Sequence, residues 1–314
     1  MAHLTLSPLQ SDRILAGVGL MLAFCVLAPL LDVASKLATV TLPVGQIVVA
    51  RFVVQAALML PFVLWMRLDW RMSPRMMGLL FARAICLILS TYCFVAALAV
   101  MPLADALAIV FVEPFILLVM GHFLFGDEVG PRRIIASTIG FLGALLVIQP
   151  SIAAFGWVAL FPLATAFSFA AYMLITKAMS RGMHPVAMQL HTSLAGSAIC
   201  LPLMWAFDGS GIRELDAVMP QGIAWLWLFG VGFWAACSHM CMTYALKFAP
   251  SATLAPLHYI ELISAVVLGY LVFGDFPNPL TWVGIAVISG SGLYIIYREQ
   301  ITARQSVTPP EPLR

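Results

Sequence analysis

Residues 92–131 read YCFVAALAVMPLADALAIVFVEPFILLVMGHFLFGDEVGP, and residues 240–279 read MCMTYALKFAPSATLAPLHYIELISAVVLGYLVFGDFPNP. Superposed at a spacing of 148, 11 of the 35 positions from 97 to 131 are identical. Leu, Ala and Val coincide often in any apolar chain. Here, however, Pro102 falls on Pro250, Pro131 on Pro279, and Phe125-Gly126-Asp127 on Phe273-Gly274-Asp275. Glu113 falls on Glu261, each 11 residues beyond its copy's proline. The chain contains an internal duplication, and repeat architecture governs everything else read from it.

Composition names the solvent. Of 314 residues, 62% are hydrophobic and 10% charged, with a mean hydropathy of +1.02. Soluble domains carry roughly 25% charged residues, so the surface of this chain faces lipid. A net charge of +2, with no basic run, argues against a nucleic-acid partner. The six cysteines lie in apolar stretches without CxxC spacing, which reads as packing thiols and predicts neither a metal site nor a cofactor.

Apolar stretches of about 20 residues mark ten transmembrane helices: 14–34, 44–66, 77–100, 102–125, 132–150, 154–179, 184–207, 221–247, 249–273 and 279–297. The first is long, and no small-x-small site in it is followed by a polar mature sequence, so it is not expected to be a cleavable signal peptide. With ten spans, twelve lysines and arginines fall on the side of the termini and two, Lys36 and Arg213, on the other; Arg51 and Arg83 lie within spans. The positive-inside rule then predicts cytoplasmic termini.

The duplication reaches upstream. Ser35-Lys36 recurs as Thr176-Lys177, Pro43-Val44 as Pro185-Val186 and Leu60-Pro61 as Leu201-Pro202. The predicted fold is therefore an all-α integral membrane protein of two five-helix repeats, 1–150 and 151–297. Residues 298–314 form a polar cytoplasmic tail expected to be disordered. Five is odd, so the second repeat enters the membrane inverted, the architecture of alternating-access transporters with a midplane site between the halves.

The residues Ala97-Leu98, Pro102-Leu103-Ala104, Glu113-Pro114 and Phe125-Gly126-Asp127, with their second copies, resemble the EamA family of the drug/metabolite transporter superfamily over nearly the whole chain. The chain departs from the usual pattern in carrying Gly-Asp where members often have Gly-Glu, and Leu262 opposite Pro114. The resemblance implies a multi-pass protein of the bacterial inner membrane that moves a small organic metabolite and needs no cofactor. Members carry amino acids, riboflavin, S-adenosylmethionine and nucleotide-like metabolites. Riboflavin-type vitamin uptake is the favoured cargo, with S-adenosylmethionine or an amino acid as the alternative, in either direction. A homodimer is one assembly open to such a chain.

Charged groups within hydrocarbon cost at least ~2.5–3.5 kcal/mol on insertion scales, so each needs a reason. At 1.5 Å per residue Glu113 and Glu261 lie ~16 Å along their helices, near the middle of a ~30 Å core. Helices running in opposite directions would bring both acids to one depth. There they suit a proton carrier or a counter-charge for a cationic substrate; tying helices together by hydrogen bonds is the simpler alternative. His258 precedes Glu261 by three residues and shares its helical face, where it could share a proton or merely satisfy the glutamate. Arg51 and Arg83 could snorkel to an interface, pair with a midplane acid or bind an anionic group. Phe111 and Tyr259, two residues before each glutamate, could stack on a planar substrate or simply pack. Asp32 and Lys36, at i,i+4, are expected to pair with each other, and His239, isolated in the sequence, is expected to be a packing or helix-tying residue.

Two other classes fit less well. Ser289-Gly290-Ser291-Gly292 continues a small-residue helix and has no matched histidine, which argues against an intramembrane serine protease. No GxxxxGK[ST] loop for ATP is present, so the chain alone is no primary pump.

Overall fold

The computed structural model of the chain describes residues 8–68, 70, 72–113, 115–116, 119–120, 131–179, 182–248 and 251–306. The described elements are all helical. In the first half they are α1 (Pro8–Thr39), α2 (Val44–Trp65), α3 (Pro74–Leu98), α4 (Leu103–Val110) and α5 (Pro131–Phe155). A 3₁₀ turn, Gly156–Leu160, leads into the second half: α6 (Phe161–Met179), α7 (Pro185–Ala206), α8 (Ala224–Phe248), α9 (Ser251–Phe273) and α10 (Pro279–Ser306). Among the described residues, six helical stretches are long and apolar enough to cross a membrane, with shorter apolar stretches at Ile260–Phe273 and Pro279–Ser291. Their outer faces carry Leu15, Phe62, Trp65, Trp157, Trp205 and Leu271, all more than half exposed. An apolar surface of this extent belongs against lipid.

Local chemistry sets the helix ends. Ser73 caps α3 by accepting a hydrogen bond from the Met76 N–H at 3.3 Å, with Pro74 in the first turn where its missing N–H costs nothing. His184 caps α7 in the same way, its ring nitrogen accepting from the Val186 N–H ahead of Pro185. Gly274 ends α9 in the left-handed region (φ +72°), and the N–H of Asp275 reaches back to the Gly269 carbonyl at 3.2 Å. Only glycine adopts that conformation without strain.

Helix pairing respects the duplication. α1 packs on α8 as α6 packs on α3; α1 packs on α9 as α6 packs on α4; α2 packs on α8 as α7 packs on α3. Three further contacts between the halves, α2–α7, α4–α9 and α5–α10, join equivalent helices, while the smaller α4–α10 contact falls outside this pattern. Exchanging the halves therefore leaves the rest of this set unchanged, as a pseudo-twofold requires. At α5–α10 the helices meet through glycine. A Cβ on Gly284 would clash with Val147 and lie 2.9 Å from the Gly143 carbonyl, and one on Gly143 would lie 2.8 Å from Val287. Gly284→Val is expected to destabilise by ~1–3 kcal/mol through overpacking. It should lower the thermal midpoint of the purified protein in detergent, whereas Gly78→Ala, with nothing within 4 Å, should not.

Three features differ from the sequence-based expectation. The fourth segment, predicted as one helix over 102–125, is interrupted: α4 stops at Val110, and the chain turns through Phe111 and Val112 before helix resumes at Glu113. Pro114 has no N–H for the carbonyl of Val110, and Phe115 donates to Val112 at 3.0 Å, one residue short of the α-helical register. α9, with Leu262 in place of the proline, runs unbroken through Glu261. Second, α10 extends to Ser306, beyond the boundary drawn at 298. Third, Lys36 does not pair with Asp32. Its Nζ lies 2.7 Å from Asp275 Oδ2, donates to the Met101 carbonyl at 2.9 Å and sits 4.7 Å above the Phe273 ring. The repeated Phe-Gly-Asp block is thus, in its second copy, a grip: a ring beneath the amine, a glycine turn, and a carboxylate. The first copy, residues 125–127, lies outside the described residues.

Candidate functional site

A cavity of about 110 Å³, partly open to its surroundings, lies between α1, α2, α3, α4, α6, α8 and α9. Its wall carries the carboxylates of Asp32, Glu113 and Glu261, the guanidinium of Arg51 and the imidazole of His239. Ser35, Ser90, Thr91 and Thr165 add hydroxyls, and Phe24, Phe94, Phe111 and Phe169 supply aromatic surface. This composition, apolar with a few converging polar groups, is that of a small-molecule site.

Each half contributes one of the paired glutamates. Glu113 is 5% exposed and Glu261 7%. The break beside Pro114 places Glu113 at the start of a new helical segment, with Phe111 and Val110 on the cavity wall before it. Glu261 comes from the middle of α9. Discontinuous helices whose ends face the ligand are a recurring feature of transporter binding sites.

Arg51, 5% exposed, bonds through Nη1 to the Thr91 hydroxyl, and its Nη2 lies 3.3 Å from His239 Nε2. A guanidinium can only donate, so Nε2 of His239 is the acceptor and the ring proton sits on Nδ1. While that bond is made, His239 is neutral. Among the described residues, neither Arg51 Nε nor His239 Nδ1 has a hydrogen-bond partner. Asp32, 8% exposed, lies within electrostatic range of both Arg51 and Glu261.

The structure therefore brings together four of the residues singled out from the sequence: Glu113, Glu261, Arg51 and Phe111. Arg83 is not among them. It is 1% exposed and committed to Tyr172, Thr176, Thr192 and the Met188 carbonyl. The side chains of His258 and Tyr259 lie outside the described residues. Sequence reading missed Asp32, assigned to Lys36, and His239, set aside as isolated. A signal for the second was present: Thr91 and His239 are 148 residues apart, the spacing of the repeat, and both meet Arg51.

Two structural repeats, an apolar outer surface and one cavity holding an acid from each half define a multi-pass membrane transporter. The profile of the EamA-like transporter family matches residues 15–149 and again 156–298, and the chain belongs to that family. A riboflavin transporter of Rhizobium johnstonii is 28% identical over 223 residues, 71% of each chain. One of Brucella anthropi is 25% identical over 285 residues, 90% of this chain and 99% of that one. An S-adenosylmethionine uptake transporter of Rickettsia felis is 23% identical over 286 residues, covering 91% and 94%. A solved crystal structure with 16% sequence identity superposes with a TM-score of 0.63 over 95% of this chain and 99% of its own, a likeness of fold.

Proposed function

We propose that the protein takes up riboflavin, or a closely similar planar metabolite, across the bacterial inner membrane by alternating access, and that it is no enzyme. Ten spans, with cytoplasmic termini and an inverted second half, would carry the cavity. The half-exchange symmetry of the helix contacts supports that topology. Rocking of the halves would expose the cavity to each side in turn, while the Lys36–Asp275 grip closes one face.

One observation carries the cargo assignment. The cavity combines four phenylalanines with a small set of buried donors and acceptors. Aromatic walls suit a fused planar ring, to which stacking contributes ~0.5–1.5 kcal/mol per pair beyond burial. Arg51, Glu113 and Glu261 would meet the ring's polar edge and the ribityl hydroxyls. The names of the bacterial relatives support the same class. The three carboxylates on the wall favour one second reading, a cationic metabolite such as S-adenosylmethionine.

Binding separates the two. In detergent, titration into a fixed concentration of riboflavin should quench flavin fluorescence saturably, and excess S-adenosylmethionine should not reverse the quench. Reversal by S-adenosylmethionine, or no quench with heat release on adding S-adenosylmethionine, would assign the cavity to the cation instead.

A further inference from the structure

We infer that Arg83, which does not reach the cavity, is a positioning residue that sets the cavity's aromatic wall through Tyr172. The inference rests on the planar-cargo reading of the same site.

Arg83 projects from α3 into a fully enclosed space between α6 and α7. Its Nε donates to Thr176 Oγ1 at 2.8 Å, Nη1 to Thr192 Oγ1 and the Met188 carbonyl, and Nη2 to the Tyr172 hydroxyl at 2.7 Å. The guanidinium carbon also lies 4.4 Å from the Tyr172 ring centre. A buried guanidinium is tolerable only when its donors are matched in this way, so its orientation is fixed. Tyr172, 0% exposed, is fixed with it: the ring is held at its face by charge and at its hydroxyl by a hydrogen bond.

Tyr172 in turn supports two walls of the cavity. Its ring stacks on Phe169 with centres 5.4 Å apart at 22°, and Phe169 lines the cavity. It also lies 6.3 Å from the His239 ring at 39°, and His239 accepts from Arg51. The path Arg83–Tyr172 therefore ends on an aromatic face and on the cavity's guanidinium. Loosening Tyr172 releases the tilt of Phe169, which a flat ligand senses far more than a flexible one.

The test measures riboflavin affinity by fluorescence quenching, maximal uptake rate in proteoliposomes, and thermal midpoint. Arg83→Lys keeps the charge but loses the fork. Tyr172→Phe keeps the ring and removes only the hydroxyl, so one variant remains measurable if the other fails to fold. Each is expected to raise Kd about tenfold, with the maximal rate changed less than about twofold, a coupling of ordinary size for residues in contact. In a Phe169→Leu background, either change should raise Kd by about threefold or less rather than tenfold, because the aromatic wall it sets is gone and only the path through His239 to Arg51 remains. If Arg83→Lys and Tyr172→Phe lower the thermal midpoint but leave Kd unchanged, or multiply in full with Phe169→Leu, the role is structural and the inference falls. A wild-type protein that binds no flavin overturns the planar-cargo reading itself, an outcome distinct from the failure of the variants.

Discussion

Glu261→Gln, reconstituted into proteoliposomes, is expected to lose roughly tenfold to a hundredfold in uptake rate and to lose the pH dependence of what remains. Glutamine keeps the shape and one acceptor but can neither carry the charge nor exchange a proton. A hydrogen bond to a charged group contributes ~1.5–3 kcal/mol, about one to two decades at 1.4 kcal/mol per decade. Glu113→Gln should behave alike, since the two acids line one cavity from equivalent positions of the two halves. The double variant is the sharper measurement. If the glutamates serve one site, it should be no slower than the slower single variant. Losses that multiply would mean two independent acids rather than one shared site.

The second large effect is expected at the grip on Lys36. Its amine ties the end of α1 to the turn after α3 through the Met101 carbonyl, and to the turn after α9 through Asp275. The pair is only partly exposed, with side chains 17% and 29% accessible, so desolvation offsets part of its attraction, while removing one partner leaves the other charge uncompensated. Lys36→Asp sets two carboxylates against each other and should cut uptake by about tenfold or more, because one closed state is no longer reached. Adding Asp275→Lys restores opposite charges and should recover most of the rate. A single variant whose uptake per folded molecule equals wild type, with only the thermal midpoint reduced, would make the grip a mere brace.

Much of this architecture was legible in the repeat. Proline, glycine and acid coincidences at a spacing of 148 identified two halves, and segment lengths identified most helices. The spacing also led to Glu113 and Glu261, because a carboxylate is costly in an apolar stretch and marks a place where the chain puts it to use. Less legible was anything decided by contacts between distant helices. Lys36 lies four residues from Asp32, yet Asp275, 239 residues away, wins it, since the Gly274 turn delivers that carboxylate next to a ring. Local spacing carries no information about such a turn. The break at Phe111 was readable in principle from Pro114, but a helix can also absorb a proline by kinking, and only the hydrogen bonds to Val112 decide between the two. Arg51 and Arg83 were indistinguishable by depth. One faces the cavity and the other Tyr172, because α2 and α3 present them to different neighbours.

One cavity, shared by two equivalent halves, is proposed to carry a planar metabolite across the membrane. The most direct test is the accumulation of radiolabelled riboflavin in proteoliposomes of the purified protein, with and without an imposed pH gradient. Saturable uptake above that of empty vesicles is expected, competed by unlabelled riboflavin and reduced at least tenfold in the Glu113→Gln/Glu261→Gln protein. Uptake equal to that of empty vesicles, or unchanged in the double variant, would contradict it.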